Sequence, residues 1–521
     1  MTEEQRARSH ALGDIPRRTA ARVPDRTALI HRDTVLTFAE LDRAIDAFAA
    51  QLWASGLRPG DRLAILSHNC WQYPVAIFGA ARIGVIGVPI NFMLTAEEIA
   101  YILADCTPAT LVVEDALCST ADQAIQSAGT TSTTNYVLPL SNSTPTGWTN
   151  FDEALTVSTG AAPEVKVDDD ALIRIMYTSG TESRPKGAMH SSRTLMWQYT
   201  SCIVSGGMAE ADVEVHALPL YHCAQLDNFL ITDIYLGATS IILDRPDPAA
   251  LLAAIERHGA TNLFCPPTVW IALLRELEGD GRTFASLRKG YYGASALPVE
   301  VLRQLRQRFP ALELWNFYGQ TEMGSLATVL PPSEQDRRPG CAGRAALNVE
   351  TSIVDDDNNP LPDGTVGEIV HRSPQVTLGY YNLPERTAEA FAGEWFHSGD
   401  LGYFDSDGFL WVVDRKKDMV KTGGENVATR EVEEVLYELP EIREAAVYGV
   451  PDDRWIEAVA ATVVVADGAA LDSRAIDTHC RTRLASYKIP KSIAFASELP
   501  RNPSGKILKR VLRERHNERT H

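Results

Sequence analysis

The first part of the chain alternates between two patterns of apolar residues, one with the spacing of a helix and one with the continuity of a strand. Thr37–Glu40 has the form of a capping box, and apolar residues then recur at helical spacing as far as Leu52. Arg62–Ser67 follows as a short strand, and the alternation continues with a helix over Thr95–Asp105 and a strand over Thr110–Val113. Repetition of this kind predicts α/β layers.

Two stretches in this part of the chain depart from the alternation. Tyr73–Ile90 is the most apolar long stretch, but it contains Arg82, two prolines and three glycines, so we predict a buried helix that runs into a strand and not a membrane span. Ser127–Thr149 is rich in Ser and Thr and has few large apolar residues, so we predict a surface excursion.

The pattern changes twice further along. A second strand–helix series covers Val213–Leu330, and Cys341–Val413 then has short strands with tight turns, which predicts a small β-barrel or sandwich. The consecutive charges of Asp414–Asp418 interrupt it. After them we predict a helix over Thr429–Leu439, strands over Ala445–Val450 and over 458–465, another helix and a basic tail.

A chain of 521 residues exceeds what one hydrophobic core usually supports, so at least two domains are expected. We place the boundary at Arg415–Lys417, which gives a domain of residues 1–414 and a domain of residues 415–521. The predicted fold is α/β: a large N-terminal domain with two α/β lobes and a small β-barrel, and a small α+β C-terminal domain. A plain solvated linker is the other interpretation of the charged run.

The formal net charge of −19 argues against nonspecific binding to nucleic acid or to an anionic membrane. If the protein binds polyphosphate, its basic residues must therefore be gathered locally. The eight cysteines are scattered with no Cys-x-x-Cys pair, which suits reduced thiols better than disulfides or a zinc site. The polar start Met1–Arg6 does not have the form of a signal peptide, and we expect a cytoplasmic protein.

The most informative segment is Tyr177–Gly187, which follows the apolar run Ala171–Met176 and is rich in glycine and hydroxyl residues. Glycines let backbone N–H groups surround an anion, hydroxyls add donors, and Arg184 and Lys186 supply positive charge. The segment therefore predicts a phosphate-binding loop after a strand. It is not a Walker-type loop, because no Gly-Lys-Ser/Thr step precedes a helix.

Three further motifs are weak individually and specific in combination. They are Tyr318–Glu322, Ser398–Asp400 and Asn502–Lys506, each of which, taken alone, fits an ordinary turn, helix start or loop. In this order, and together with Tyr177–Gly187, they resemble the motifs of the adenylate-forming superfamily, which includes acyl- and aryl-CoA ligases, luciferases and peptide-synthetase adenylation domains. The resemblance extends from about Leu12 to about Arg513, nearly the whole chain.

The resemblance implies that a carboxylate attacks the α-phosphate of ATP and releases pyrophosphate. Because two anions must meet, such a site has to neutralise charge and align the reacting atoms. It implies that Thr321 contacts the α-phosphate and that Glu322 is a magnesium ligand, with Thr181 as a second ligand. It also implies a clamp on the β- and γ-phosphates that consists of Thr178, Ser179, Gly180, Thr181 and Lys186.

Further binding roles follow from the same resemblance. Asp400 would accept both ribose hydroxyls, with Arg415 as a donor beside the ribose and the phosphates. The walls of the adenine and acyl pockets would be formed by Gly293, Ala294, Ser295, Tyr318 and Gly319.

The resemblance places the catalytic lysine at Lys506, where it would bridge the substrate carboxylate and the α-phosphate oxygens. In the second half-reaction a thiol attacks the adenylate after the C-terminal domain has rotated about a hinge at Lys417. The face that this rotation presents carries Gly423, Gly424 and Glu425, which would line the tunnel for the pantetheine arm of coenzyme A. A tight turn is the other interpretation of these glycines.

His222 stands where relatives place a His or aromatic residue near the acyl carboxylate, although a lone histidine is more often a packed or surface residue. The predicted function is that of an AMP-forming carboxylate–CoA ligase that uses ATP, Mg2+ and coenzyme A, with a fatty acid favoured and an aryl acid as the alternative. The pocket candidates beyond those above are Trp197, Tyr221, Phe229, Ala296 and Met323.

One departure and two competing functions stay open. Most relatives have Thr-Gly where this loop has Glu182 and Ser183, so either the glutamate points outward or ATP affinity changes. In the first competing function, the activated group passes to an amine or a carrier-protein thiol instead of coenzyme A. A catalytically silent nucleotide-binding protein is the other class, and intact Lys506, Glu322 and Asp400 argue against it. Homo-oligomers are possible on this sequence, and no nucleic-acid partner or membrane span is expected.

Overall fold

The structure is a computed structural model that describes residues 4, 7–132, 134–157, 162–178, 184–293, 297–422, 425–452, 455–466, 468–501 and 507–520. The described chain divides into two compact units. The first unit contains the chain up to Thr178, Pro185–Thr351 and His371–Phe396, and the second contains Ser352–Val370 and the chain from His397 onward. The predicted boundary at Arg415 stays a prediction.

The strands are numbered in chain order. They are β1 (Thr27–His31), β2 (Thr34–Thr37), β3 (Arg62–Leu66), β4 (Ile86–Ile90), β5 (Thr110–Glu114), β6 (Tyr136–Leu138), β7 (Thr149–Asn150), β8 (Leu172–Thr178), β9 (Lys186–Ser191), β10 (Val213–His216), β11 (Thr239–Ile242), β12 (Asn262–Phe264), β13 (Lys289–Gly293), β14 (Glu313–Tyr318), β15 (Thr328–Leu330), β16 (Arg344–Ala345), β17 (Glu350–Val354), β18 (Gly367–Arg372), β19 (Phe396–Phe404), β20 (Leu410–Arg415), β21 (Val420–Thr422), β22 (Glu425–Val427), β23 (Ile442–Asp452), β24 (Ile456–Val465) and β25 (Ser492–Phe495).

The helices are referred to by their bounds. The α-helices are Ile15–Arg22, Phe38–Ala54, Gln72–Arg82, Ala96–Cys106, Cys118–Ala128, Phe151–Val157, Ser192–Gly206, Cys223–Gln225, Ile231–Leu236, Pro248–His258, Pro267–Glu276, Val299–Arg308, Pro384–Ala390, Thr429–Tyr437, Ser473–Arg481 and Lys509–Thr520. Single 3-10 turns are Leu12–Asp14, Asp115–Leu117, Thr321–Met323 and Pro332–Glu334, and Leu226–Leu230 is a π-helical turn.

The first unit is built on two large sheets with mainly parallel strands. Sheet A has nine strands in the order β16-β15-β14-β13-β12-β10-β11-β1-β2, and its strands from β14 to β1 are parallel. Sheet B has seven strands in the order β7-β6-β5-β3-β4-β8-β9, parallel except for β9. The predicted α/β layers are therefore present as two lobes, each with its own sheet.

Local sequence signals account for the helices that the pattern predicted. Thr37 and Thr95 both form capping boxes, so the helices Phe38–Ala54 and Ala96–Cys106 begin where the prediction placed them. The apolar stretch after Tyr73 forms the fully buried helix Gln72–Arg82 and then β4, as predicted. Arg82 is tolerated inside because its guanidinium pairs with Asp42 and Asp46.

One prediction for this unit is wrong. The stretch Ser127–Thr149 is not only a surface excursion, because it contributes β6 and β7 to the edge of sheet B. Tyr136, Val137 and Leu138 are all completely buried. These consecutive apolar residues are sufficient for a short buried strand next to the edge of the sheet, and the Ser/Thr-rich flanks concealed them.

The second unit contains sheet D and most of sheet C. Sheet C has four strands in the order β17-β18-β19-β20, where the pattern predicted a small β-barrel or sandwich. Sheet D combines β21 to β25, and the helix Thr429–Tyr437 packs on β23. Buried Asp414 accepts hydrogen bonds from the backbone N–H and the hydroxyl of Thr429, at 2.5 and 2.8 Å, which joins the end of β20 to this helix.

The eight cysteines all lie within the described residues, are buried, and form no disulfide bond. Within the part of the chain that the structure describes, no helix combines the length and the apolar character that a membrane span requires.

A buried ion pair links the two lobes of the first unit. Arg174, on β8, donates to both carboxylate oxygens of Asp227 at 3.1 and 3.2 Å, and neither side chain is more than 1% exposed. Tyr199 donates a further hydrogen bond to Asp227 at 2.9 Å. Asp227 lies in the π-helical turn Leu226–Leu230, and π-turns inside helices often mark functional sites because they redirect side chains.

The variant Arg174→Met should destabilise the protein by about 3–5 kcal/mol, because it leaves the Asp227 carboxylate buried without its counter-charge. Denaturation followed by circular dichroism measures this. Arg193→Met, which breaks the exposed pair Arg193–Asp170, is the matched control and should leave the melting temperature nearly unchanged. Equal melting temperatures for the two variants would show that the buried Arg174–Asp227 pair contributes no more to stability than the exposed pair.

Candidate active site

The phosphate-binding segment predicted from the sequence joins two antiparallel strands. β8 ends at Thr178 and β9 begins at Lys186, and these two residues are cross-strand partners. The Thr178 hydroxyl donates to the Lys186 carbonyl at 3.3 Å, so the two ends of the segment are held together. Because the strand β9 follows this segment, the segment does not lead into a helix N-terminus that could add positive charge.

Other predicted residues lie at the carboxyl ends of parallel strands of sheet A. Gly293 ends β13, Tyr318 ends β14, and His222 follows β10 by a short loop. The carboxyl ends of parallel strands meet at one edge of a sheet, which is where α/β folds bind ligands. Close packing requires glycine at positions 293 and 319, because a Cβ atom at either would lie 2.5 Å or less from a backbone oxygen.

The turn Thr321–Met323 carries the predicted α-phosphate contact and the predicted magnesium ligand. It is one 3-10 turn held by its backbone: the His190 Nε2–H donates to the Thr321 carbonyl at 3.0 Å, and the Thr377 N–H donates to the Glu322 carbonyl at 2.7 Å. The Cys223 thiol lies 3.4 Å from the Thr321 hydroxyl. Burial raises the pKa of this thiol to about 11, so it remains protonated.

Tyr380 connects the magnesium-ligand candidate to the phosphate-clamp lysine. Its hydroxyl donates to Glu322 Oε1 at 2.7 Å, and the Lys186 ammonium lies 4.4 Å from the centre of its ring. Burial, followed by the Glu322 charge, raises the pKa of Tyr380, so the hydroxyl stays a donor. Sequence reasoning did not identify this tyrosine, because a tyrosine in a loop carries no motif of its own.

The segment around Tyr380 is aligned by pairing with β9. Met189 donates its N–H to the Gly379 carbonyl at 2.9 Å and accepts from the Leu378 N–H at 2.8 Å, and Tyr381 donates to Gly187 at 2.8 Å. Gly379 has φ 118°, a conformation that favours glycine, and Thr387 leaves no space for a side chain there. This added length of backbone pairing places the Tyr380 ring beside Lys186.

His190 lies behind the turn and is neutral at pH 7. It is completely buried beside its cross-strand partner Arg174, and burial lowers the pKa of its imidazole to about 4. Since a carbonyl oxygen can only accept, the Nε2 atom that faces the Thr321 carbonyl must carry the proton. No described residue donates to Nδ1. His190 is thus a second residue that the sequence motifs did not reveal.

His222 caps the helix that begins at Cys223. Its Nδ1 atom accepts from the Ala224 N–H at 3.1 Å, so in the neutral ring the proton lies on Nε2. The loop before it is held from both sides: Asn69 binds Leu218 and Leu220 through backbone atoms at 2.9 Å each. This arrangement sets the direction of the His222 ring and leaves Nε2 as a donor and not as a base.

A buried cluster near this loop combines two carboxylates and an imidazole, which is the composition of a metal site. Glu214, His216 and Asp233 place their ligand atoms within 4.8 Å of one another. Gln225 Oε1 accepts from the Leu218 N–H at 3.2 Å, so its Nε2 donates to His216 Nδ1 at 2.8 Å. His216 Nε2 then holds the ring proton, 3.2 Å from Asp233. Burial and the neighbouring Asp233 raise the pKa of Glu214.

The predicted ribose residues lie together in the second unit. Asp400 on β19 and Arg415 on β20 are cross-strand partners, and Arg415 Nε lies 3.5 Å from Asp400 Oδ1. Lys417, the predicted hinge, lies exposed in the turn between β20 and β21. Glu425 begins β22 and is exposed.

Several predicted residues lie outside the described residues. They are Ser179, Gly180, Thr181, Glu182 and Ser183 of the phosphate segment, Ala294, Ser295 and Ala296 of the pocket wall, Gly423 and Gly424 of the predicted tunnel, and the predicted catalytic lysine, Lys506.

The residues present suit magnesium. Mg2+ prefers hard oxygen ligands and is usually held by one or two carboxylates together with substrate phosphates and water. Glu322 supplies such a carboxylate at the partly exposed end of the turn, and Tyr380 binds only one of its oxygens. When bound, the ion would neutralise phosphate charge beside Lys186.

The family model for the AMP-binding enzyme matches residues 16–381, and the model for the AMP-binding enzyme C-terminal domain matches residues 431–506. The chain belongs to the AMP-binding enzyme family. Its predicted superfamily, its mixed α/β fold and its enzyme class, an AMP-forming acid–CoA ligase that uses ATP, Mg2+ and coenzyme A, are confirmed at this level.

Members of the family with known substrates differ in the acid they activate. A feruloyl-CoA synthase of an Amycolatopsis species is 35% identical over 98% of this chain and 99% of its own length. A long-chain-fatty-acid–CoA ligase of Mycobacterium tuberculosis is 32% identical over 93% of this chain and 94% of its own length. The structure of an anthranilate CoA ligase with anthranoyl-AMP superposes with a TM-score of 0.88, at 26% identity over 97% of each chain.

The variant Tyr380→Phe should raise the Mg2+ concentration needed for half-maximal pyrophosphate exchange about threefold to tenfold. It keeps the ring beside Lys186 and removes the hydrogen bond that orients the Glu322 carboxylate. Because water can replace the lost donor at this partly exposed carboxylate, only part of the about 1.5–3 kcal/mol that such a hydrogen bond contributes is lost. Tyr380→Leu removes the cation–π contact as well, so the KM for ATP should also rise about twofold to fivefold.

Tyr381→Phe is the matched control, because its side chain packs on a hydrophobic cluster in sheet B and should alter neither constant. A Tyr380→Phe enzyme with the wild-type Mg2+ requirement would show that this hydroxyl does not position Glu322.

Stability should fall as the pH drops from about 6.5 towards 4. His190 binds a proton at about pH 4 in the folded protein and at the ordinary value of 6.5 when unfolded, so the unfolded state takes up the proton first. The contribution, roughly 3 kcal/mol at most, is present above pH 6.5 and lost as the pH falls through this window. Buried His371, whose pKa is lowered to about 3, adds a similar dependence.

His190→Gln should remove about half of this pH dependence, because the glutamine amide can still donate to Thr321 but does not titrate. Melting temperatures measured from pH 4 to pH 7 test this. If the melting temperature of the variant depended on pH as steeply as that of the wild type, His190 would not be the neutral, buried imidazole described here.

Proposed function

We propose that this AMP-forming acid–CoA ligase acts on an aromatic carboxylic acid. The observation that carries the proposal is a set of buried aromatic rings on and beside strands β12, β13 and β14 of sheet A. Phe229 stacks on Phe264 with ring centres 4.5 Å apart, and on Phe317 at 5.7 Å. Tyr291 stacks on Trp315 at 5.3 Å and makes an edge contact with Phe317 at 5.4 Å.

These rings lie close to the reacting groups. Phe317 directly precedes Tyr318, the last residue of β14, and Phe229 belongs to the helical segment that begins after His222. Met323, at the end of the turn that carries Glu322, packs in the same hydrophobic cluster. An aromatic acid whose carboxylate reached Thr321 would therefore have its ring against this cluster.

These side chains favour an aromatic ligand because a flat ring can stack on them or meet them edge to face. Aromatic pairs gain about 0.5–1.5 kcal/mol beyond area burial when their rings stack or meet edge to face. A long alkyl chain needs a deep apolar channel instead, and buried polar side chains such as Gln198 and Asn228 adjoin the cluster. The sequence alone favours a fatty acid, whereas these contacts favour an aromatic one.

The relatives support this choice without settling it. The names of the feruloyl-CoA synthase and of the anthranilate CoA ligase specify aromatic acids, and the former is similar over nearly its whole length. The fatty-acid ligase is similar over slightly less of the chain and at slightly lower identity.

We propose the following division of labour for adenylate formation. Lys186 and the segment before it hold the β- and γ-phosphates, Glu322 holds magnesium, and Asp400 accepts the ribose hydroxyls. The substrate carboxylate attacks the α-phosphorus, the bond to the bridging oxygen breaks, and pyrophosphate leaves. Lys506 neutralises the charge that develops between the two anions, which is the role the resemblance gives it.

Thioester formation follows in the proposed sequence. The thiol of coenzyme A loses its proton and attacks the acyl carbon, and AMP leaves with the electron pair of the broken acyl–phosphate bond. His222 presents a proton on Nε2 near the acyl carboxylate, and this donor stabilises negative charge on the acyl oxygen. The hinge at Lys417 and the residues Gly423, Gly424 and Glu425 belong to this second step.

The test is a substrate screen by exchange of labelled pyrophosphate into ATP. The panel contains benzoate, 2-aminobenzoate, cinnamate, 4-hydroxycinnamate and indole-3-acetate, with hexanoate, dodecanoate and hexadecanoate as the aliphatic arm. We expect kcat/KM for at least one aromatic acid to exceed that for every fatty acid by about tenfold or more, the range that differences in apolar pocket fit usually produce.

Addition of coenzyme A then tests the acceptor. CoA-dependent release of AMP together with an aryl thioester is the expected outcome. A fatty acid as the best substrate would overturn the aromatic assignment, and exchange without thioester formation would overturn coenzyme A as the acceptor.

A further inference from the structure

Gln198 is a completely buried polar residue beside the aromatic cluster, on the helix Ser192–Gly206. Its amide nitrogen uses both of its hydrogens: it donates to Asn228 Oδ1 at 2.6 Å and to Cys202 Sγ at 3.1 Å. Its oxygen, Oε1, is fully buried and has no hydrogen-bond partner among the residues that the structure describes.

The orientation of this amide follows from its neighbours. Asn228 donates from Nδ2 to the Ser325 hydroxyl at 3.1 Å, so its oxygen faces Gln198. Turning the Gln198 amide over would leave two buried N–H hydrogens unsatisfied instead of one oxygen, which costs more. The arrangement therefore leaves Gln198 with a single acceptor to offer.

The position of Gln198 connects this acceptor to the reaction. A Cβ atom on Gly324 would lie 2.8 Å from the Gln198 side chain, so Gln198 lies directly against the residue that follows the turn Thr321–Met323. Its partner Asn228 precedes Phe229, the ring that stacks on both Phe264 and Phe317. Gln198 is thus adjacent both to the turn that carries Glu322 and to the rings proposed to hold the substrate.

We propose that Gln198 is a specificity-determining residue whose Oε1 accepts a hydrogen bond from a hydroxyl or amino group on the ring of the aromatic acid. The inference rests on the proposed function and narrows it to aromatic acids that carry a hydrogen-bond donor. A ring without a donor leaves the oxygen buried and unpaired, whereas a donor satisfies it, so the enzyme discriminates between the two.

A fatty acid cannot fill this role. Its chain carries no hydrogen attached to oxygen or nitrogen beyond the carboxyl group, so it would pack against the Gln198 oxygen without a bond. An O-methyl ether of a phenol is likewise unsuitable, because its oxygen only accepts and would face another acceptor. The ether therefore separates hydrogen-bond donation from ring size and polarity.

The experiment takes the aromatic scaffold that reacts fastest in the screen above and compares its ring-hydroxylated isomers with their O-methyl ethers and with the unsubstituted acid. In the wild-type enzyme, kcat/KM for the best hydroxylated isomer should exceed that for its ether by about tenfold to a hundredfold. In Gln198→Met, which keeps the length of the side chain and removes the acceptor, this ratio should fall towards one.

Gln307→Met is the control, because Gln307 is an exposed helical glutamine far along the chain from these residues, and its ratio should match the wild type. Equal use of hydroxylated and O-methylated acids by the wild-type enzyme would overturn the inference even if Gln198→Met failed to fold. An unaltered ratio in a folded Gln198→Met enzyme would also overturn it, while aromatic activation itself would stand. If no aromatic acid were activated, the proposed function would fail, and the inference with it.

Discussion

The pairing of the segment Thr377–Tyr381 with β9 is the constraint on which the candidate active site depends. One set of backbone hydrogen bonds aligns this segment with the strand that begins at Lys186, and one more ties Thr377 to Glu322. The Tyr380 side chain then reaches both the Glu322 carboxylate and the Lys186 ammonium. One neutral ring thereby contacts both the anionic and the cationic side chain of the predicted phosphate site.

Burial keeps the groups around this pair uncharged. The histidine behind the turn loses its charge, and the Cys223 thiol and the Tyr380 hydroxyl keep their protons, all because burial disfavours the charged form. The protein has a formal charge of −19, so additional anions at this position would weaken the attraction of the few local cations for phosphates. The protonated thiol and hydroxyl add no such negative charge. Neutral donors surround a small number of fixed charges, which is the arrangement that stabilises charge as it moves during a reaction.

Much of the fold could be read from local patterns. The capping box at Thr37 located one helix, the alternating pattern located the helix after Thr95, and the apolar run after Tyr73 located a buried helix and strand, since each signal is local in the chain. The buried strand Tyr136–Leu138 was missed because it is only three residues long, and its burial depends on a neighbouring strand that lies elsewhere in the chain.

The sequence by itself determined the family, the order of the motifs and the class of chemistry. These follow from residue types such as the carboxylates of Glu322 and Asp400 and from their order along the chain, and neither depends on tertiary contacts. Only the tertiary structure decided that Tyr380 joins Lys186 to Glu322, that His190 supports the turn in its neutral form, and that Gln198 keeps an unused acceptor. These properties arise from burial and from contacts between residues that are distant in the chain, and neither is encoded at any single position.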